Sequence, residues 1–448
     1  MVDTVTYELS DLDKGGFLKE VTVALFYEIP PTVNSEQLIT SLEEGLKNAM
    51  DQLPFMAGDL LFETTGKLCI IKTPESQLKF EFQQFNSSEH KSLSSLAQST
   101  FPPGALDLTQ YLPRAREDKK PVCGLKVNLI EGGLILGLRV NHAAGDWSSI
   151  DRFLSLICQS CKAYQEDLEM PTFTPDLNRV PYNTPANVSK SSRKNSLDRL
   201  QIFYVTEKSQ FKPPSSTPSE PKIYRISDAA VKEVKAKCSS HLAGVDFISS
   251  YDTISALIWT SITRARLALY PEKKTSPSRF IHPIDVRTRD SEHKTSEQYF
   301  GNAVIGAQAG PLDAHALVSD GNRSLAMAAS RIRQSINSVD VTSISHMTSL
   351  VSSLAPTETL GSHADFTNMD VFMNTWYTGS REKYDLGPGV VPVAFRLHAP
   401  MPGACAVLLP NFSRGSTRLF DVHVQVTAEE HELLKQDAEF VKYFELVA

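Results

Sequence analysis

Apolar residues run almost unbroken through 134–140, and the run stops abruptly at Asn141-His142-Ala143-Ala144-Gly145-Asp146. Such a run predicts a strand whose end places His142 at the boundary between core and cleft. Residues 126–130 mirror it across Glu131-Gly132-Gly133, which predicts a hairpin-like pair. Residues 147–164 then read as a helix behind the histidine. Upstream, 21–29 predict a strand, following a turn that begins at Gly16. Leu38, Ile39, Leu42, Leu46, Ala49 and Met50 give 35–53 a helical spacing that Pro54 ends. Residues 60–62 and 67–71 read as two short strands joined through Thr64-Thr65-Gly66.

The pattern weakens between 171 and 221. Residues 190–196 and 212–218 are polar or proline-rich, with a strand expected at 201–205 between them. Regular structure resumes with a strand at 222–226 and helices at 228–237 and 250–269. Strands at 304–307, 371–376, 391–397, 404–409 and 419–426 then alternate with helices at 324–335, 343–353 and 429–444. No short-period repeat is visible. The outline is α/β, with two domains of similar size, each a sheet covered by helices.

Length and charge narrow the function. At 448 residues the chain exceeds what one core usually serves, so two domains are expected. A formal charge of −7 repels polyanions and argues against a nucleic-acid partner. No apolar run reaches 18 residues, so no membrane span is expected, and the first residues lack the blocks of a signal peptide. Six cysteines are too sparse for a disulfide framework, and a cytoplasmic, reducing setting fits them. Cys158 and Cys161 form a CxxC, but Phe153, Leu154, Leu156, Ile157 and Tyr164 make this a helix face where both thiols are small core residues.

A strand that ends on a histidine and turns through small residues can present one imidazole nitrogen to a buried cleft. Such a group suits a general base for an alcohol or amine. Asp146, four residues on, could hold the turn through backbone or an arginine instead of bonding the imidazole. As a surface ion pair, HxxxD would be worth only about 0.2–0.5 kcal/mol. No GxSxG nucleophile elbow, HExxH or metal-ligand cluster occurs, so no metal is expected.

Several motifs recur in a shared order. They are Leu9-Ser10-Asp11-Leu12-Asp13, Leu53-Pro54-Phe55-Met56-Ala57-Gly58, the histidine motif, Ile284-Asp285-Val286-Arg287-Thr288-Arg289, Tyr299-Phe300-Gly301-Asn302, Asn374-Thr375-Trp376 and Asp385-Leu386-Gly387-Pro388-Gly389. Together they resemble the BAHD acyltransferases, whose HxxxD appears intact and whose DFGWG is altered here. The resemblance covers almost the whole chain. Pro388 in place of tryptophan removes an aromatic plug and fixes a φ, a relaxation that points to a fungal member.

The resemblance implies two chloramphenicol-acetyltransferase-like domains, 1–185 and 222–448, joined by a crossover at 186–221. It also implies a late segment near 355–380 completing the first domain and an active-site channel at the interface. It further implies an acyl-CoA cosubstrate with no permanently bound cofactor, a small-molecule alcohol or amine acceptor, and a monomer. His142 would be the catalytic base in direct acyl transfer. Asn374 would help orient substrate or stabilise the oxyanion, although it could equally cap a strand. Trp376 and Trp147 would face the acceptor or channel. Asp146, Asp385 and Arg287 would be structural, the last two as a salt bridge. Ser249, Ser250 and Asn302 would contact acyl-CoA. Arg264 and Arg266 read as solvated-face residues of their helix. O-acylation with acetyl is favoured. An N-acyltransferase, a carrier-protein-dependent condensing relative and an inactive binding protein are the alternatives.

Overall fold

The computed structural model describes residues 4–15, 19–63, 66–88, 90–104, 106–115, 120–184, 192–212, 217–289, 295–378, 381–398, 403–412 and 417–448. The turns expected at 16–18 and 64–65 and the first part of the crossover, 186–191, lie outside the described residues. The chain divides into two compact units. One comprises 1–185, 291–303 and 378–399; the other comprises 186–290, 304–377 and 400–448.

The first unit is built on a five-stranded mixed sheet, in the order Pro392–Leu397, Glu20–Glu28, Gly133–Asn141, Cys123–Ile130 and Lys79–Gln84. Neighbours are antiparallel except the last pair, which is parallel. The strand Gly133–Asn141 sits at the centre, and Leu134, Ile135, Leu136, Leu138 and Val140 have no exposed surface. That explains its unbroken apolar run: side chains on both faces are covered. Removing one of these leucines to alanine costs about 2–5 kcal/mol in such cores.

Helices Ser35–Gln52 and Trp147–Gln165 cover one face. They meet at Gly45, where a Cβ would lie 2.7 Å from both Cys161 N and Ile157 O. Cys158 and Cys161 are fully buried on this helix face. A small sheet of Val5–Glu8, Leu68–Lys72 and Asp59–Phe62 completes the unit.

The second unit holds a seven-stranded mixed sheet. Its order is Val304–Asp313, Pro277–Asp285, Val371–Thr375, Cys405–Leu409, Leu419–Val426, Glu220–Ser227 and Glu445–Leu446. Helix Ser250–Leu269 packs against helices Asp228–Cys238, Gly321–Ser338 and Ala428–Gln436. Trp259 and Phe280 lie in its core without exposed surface.

Four expectations need correction. Residues 355–380 do not complete the first unit, because Val371–Thr375 pairs inside the second sheet; the returning segments are 291–303 and 378–399. The crossover is not simply a linker, since it contains helix Ser192–Leu200 and strand Phe203–Glu207, the latter paired with Glu358–Ser362. The single helix expected at 429–444 is two, Ala428–Gln436 and Ala438–Tyr443. They are split where the Asp437 side chain caps the second by accepting from Glu439 N and Phe440 N. Arg266 is 3% exposed rather than solvated, ion-paired at 2.6 Å to the buried Glu430, and Arg264 is held by Asp437 and Glu439. A guanidinium at a helix–helix contact carries its own counter-ion, which single-helix periodicity does not reveal.

Candidate active site

His142 follows its strand in a 3-10 turn, His142–Ala144. Asn141 starts the turn by accepting the Ala143 amide at 3.0 Å, and the His142 amide donates to Lys19 O at 2.9 Å. Asp146 caps the next helix, accepting from Ser149 N at 3.2 Å. Its other oxygen accepts from Ala303 N at 2.9 Å. Ser149 Oγ donates to Gly301 O and accepts from Gly301 N, both at 3.0 Å. Asp146 and Ser149 therefore clasp the 301–303 segment beside the histidine turn. Glycine at 301 leaves room for the Arg179 guanidinium, since a Cβ there would lie 2.0 Å from Arg179 Nη1 and displace it.

The clasp delivers Asn302. Its Nδ2 donates to Asp13 Oδ1 and to His142 O, each at 2.8 Å. Two oxygen acceptors fix which end of the amide is nitrogen, so Oδ1 is the atom 3.0 Å from His142 Nδ1. An oxygen with no proton to give forces the imidazole proton onto Nδ1. Nε2 keeps its lone pair, and among the described residues it has no hydrogen-bond partner. Burial pushes the His142 pKa below its ordinary 6.5 and Lys19 adds to this; the histidine's own carbonyl, Asp146 and Asn302 act in the opposite direction. The resting ring is neutral, as a base must be.

Asp13 anchors this arrangement from the short helix Asp11–Lys14. Fully buried, it accepts four hydrogen bonds, from Ser10 N, Ser10 Oγ, Asn302 N and Asn302 Nδ2. Arg179, 9% exposed, neutralises it at 3.7 Å and donates to Phe300 O at 2.6 Å. Sequence reasoning assigned neither residue a role in the site. Asp13 had a signal, since Ser10 and Asp13 have capping-box spacing; Arg179 had none, because its partners are distant in the chain.

Several expected site residues are placed differently. Asn302, an expected CoA contact, has its amide engaged with the imidazole. Arg287 bonds Asp285 through Nη1 at 3.0 Å, and its amide donates to the same carboxylate at 2.8 Å. Burial is the main reason the Asp385 pKa is raised; Lys162 and Arg381 pull it down, and Glu382 adds to the rise.

Ser249 is the N-cap of helix Ser250–Leu269, with its hydroxyl accepting from Asp252 N, and Ser250 is the first helical residue. Trp147 is 9% exposed and packs edge-on against Phe395 at 5.6 Å, part of the first unit's core. Asn374 and Trp376 are half-buried at and just past the end of strand Val371–Thr375. Asn374 Oδ1 accepts from Thr375 N at 2.7 Å, which leaves Nδ2 without a partner among the described residues.

The altered motif forms a turn. Val390 N donates to Gly387 O at 3.1 Å across Pro388-Gly389, and Gly389 has φ +75°. Proline at the second position and a positive-φ glycine at the third are the requirements of a type II turn. Leu386 O accepts from Cys161 Sγ at 3.3 Å and from Gln165 Nε2. Lys383 and Tyr384 bond Asp151 on the same helix.

A model of the Transferase family matches residues 2–441 of this chain. Among curated relatives, the trichothecene 3-O-acetyltransferase TRI101 of Fusarium sporotrichioides is 23% identical over 94% of this chain and 92% of its own length. Among solved structures, F. graminearum TRI101 complexed with coenzyme A and T-2 mycotoxin matches with a TM-score of 0.81 at 21% identity. That match covers 99% of this chain and 100% of the other. Vinorine synthase matches at TM-score 0.67 and 14% identity, over 98% of this chain and 94% of its own. These structural likenesses carry the fold.

Proposed function

The chain belongs to the Transferase family, and from that membership we propose that it is an acyl-CoA-dependent O-acyltransferase, acetyl favoured, that esterifies a hydroxyl of a specialised metabolite. The observation that carries the reading is the His142 ring, with Nδ1–H committed to Asn302 and Nε2 left basic. Nε2 takes the acceptor's hydroxyl proton as that oxygen attacks the thioester carbonyl. The carbonyl π pair becomes the oxyanion of a tetrahedral intermediate. Its collapse restores the C=O bond and breaks the C–S bond, and the CoA thiolate takes the proton back from Nε2. The transient imidazolium is favoured by the Asn302 oxygen on Nδ1.

Asn374 Nδ2 is the donor we assign to the oxyanion, a contribution of about 3–4 kcal/mol where such a donor is well aimed. Ser249, Ser250 and Asn302 remain our candidates for CoA contacts, and Trp376 and Trp147 for the acceptor. Direct transfer without an acyl-enzyme is supported by the cysteines: all six are buried, and burial raises every thiol pKa. Thiols held protonated are poor nucleophiles. We take the enzyme to work as a cytoplasmic monomer; no described helix is long and apolar enough to cross a membrane.

The test is a screen of acetyl-, branched and aromatic acyl-CoAs against terpenoid, alkaloid and polyketide alcohols, read by product mass. Ester formation from a free acyl-CoA is expected. Amide products alone, or transfer only from a carrier-protein thioester, would replace this reading. Intact-protein mass after acyl-CoA alone should show no adduct that the acceptor chases into product.

A further inference from the structure

On the side of the first sheet away from its helices' cysteine face lies a cavity of about 420 Å³, lined in part by Gln83, Thr109, Gln110, Arg114, Lys126 and Arg139. Register explains why cations gather there. Gly124 pairs with Arg139 and Lys126 with Gly137 on adjacent antiparallel strands, so the Lys126 and Arg139 side chains share one sheet face. The segment leading to Arg114 covers that face. It is tied down by Asn128 Nδ2 on Tyr111 O at 2.9 Å and by Arg139 Nε on Pro113 O at 3.0 Å.

Among the described residues, the carboxylates around the cavity are already committed. Glu20 pairs with Arg139, and Glu81 pairs with Lys79 at 2.8 Å while accepting the Arg114 amide. Asp107 accepts from Thr109 and Gln110. Among the described residues this leaves two cations with no ion-pair partner, Arg114 and Lys126. Lys126 is 8% exposed, and its ammonium has a single protein acceptor, Gln110 O at 2.5 Å. A buried ammonium with spare protons facing a second unpaired cation is a costly arrangement unless an anion enters. Burial and the nearby Arg114 both push the Lys126 pKa down, against the pull of Glu81.

We propose that this cavity binds inorganic phosphate as its dianion, between Arg114 and Lys126 with Gln83 as a neutral donor. Two unpaired cations match a dianion in charge, and the guanidinium of Arg114 can engage two of its oxygens. The site takes no part in the acyl transfer described above and does not depend on it.

Titration calorimetry with inorganic phosphate, at ionic strength held constant with chloride, tests the assignment on the full-length enzyme. One saturable site is expected. Arg114→Gln alters an exposed residue and should keep the parent Tm. It should weaken phosphate binding about tenfold, the usual effect of deleting one charge-assisted hydrogen bond. Lys126→Met should weaken it at least as much. Saturating coenzyme A should leave the heat unchanged, which separates this site from the cosubstrate's. Absence of a saturable heat, full affinity in Arg114→Gln, or abolition by coenzyme A would overturn the proposal.

Discussion

The histidine turn and the Asp385–Gly389 turn make an instructive pair. Both are tight, glycine-containing turns in the first unit, both carry an acid, and both are clasped to the helix Trp147–Gln165. They differ in what is left over. Around Asp385 the turn is tied off: Leu386 N donates to Val390 O and Val390 N to Gly387 O, Leu386 O is taken by the helix, and Lys383 and Tyr384 are spent on Asp151. Around His142 the same thorough bonding includes the backbone, Asp146, Asn302 and Asp13, yet one atom, Nε2, is kept out of it. Chemistry is read from that remainder. A turn whose backbone and neighbours are tied off and whose acid is buried is scaffold, and a turn that keeps a basic atom free is a site.

The most severe way to break the contrast is to remove the remainder. His142→Ala should lower kcat/KM by about 10²–10⁴-fold, the usual worth of a positioned base. Its Tm should stay near the parent's, because the turn is held by Asn141, Asp146 and Lys19 O rather than by the ring. Activity within a factor of about three of the parent would mean that the free nitrogen is not the base.

The next effect tests whether Asn302 acts through the ring. As a positioning residue, Asn302→Ala should reduce kcat by about one to two orders of magnitude, comparable to misplacing a reacting group by an ångström. Because its hydrogen bond raises the His142 pKa, the acid limb of the rate profile should also move to lower pH. A purely structural residue would lower activity without moving that limb. Asp13→Asn should add a stability loss, since it leaves the buried Arg179 without its carboxylate, a change worth about 3–5 kcal/mol when one partner of a buried pair is removed.

Protonation sharpens the comparison further. His142, His282 and His431 all have pKa values lowered chiefly by burial, the last two to about 3 and about 4 from 6.5. The unfolded chain then binds more protons than the folded one below 6.5. The stability they contribute is complete above that value and is lost as pH falls from there toward about 3. Urea unfolding at stepped pH should show this loss, while kcat/KM falls only where His142 itself is protonated. Stability that is flat down to pH 4 would contradict the buried neutral rings.

Much of this is legible in the sequence. Strands buried on both faces announce themselves by unbroken apolar runs, and helix Ser250–Leu269 begins and ends where its periodicity does. The misses share a cause in long-range partners. Strand Pro277–Asp285 carries prolines at both 277 and 283, which read against a strand. Its pairing to Val371–Thr375 involves only Phe280 and Ile281, so Pro283 lies where one neighbour suffices. His142 is visible as a strand-end histidine; the Asn302–Asp13 support is not, because those residues lie 160 positions after it and 129 before it. Asn302 carries a motif signal without its role, which only the hydrogen-bond directions supply.

The smallest expected effect falls on the saturated turn. Were Asp385 the partner of Arg287, neutralising it would strand a buried guanidinium and cost stability and activity together. Arg287 has Asp285 as a carboxylate partner of its own, and Asp385 is disfavoured as a charge by its own burial. Asp385→Asn keeps the shape, removes that penalty, and leaves Leu386 O, Pro388 and Gly389 to hold the turn. The substitution should therefore change kcat/KM by less than about threefold and shift unfolding by no more than about 0.5 kcal/mol, as for positions without a specific partner. Thermal unfolding and kcat/KM on the single variant decide it. A combined loss of more than about tenfold in activity and several degrees in Tm would make this acid part of the site's support, and the two turns would then differ in degree rather than in kind.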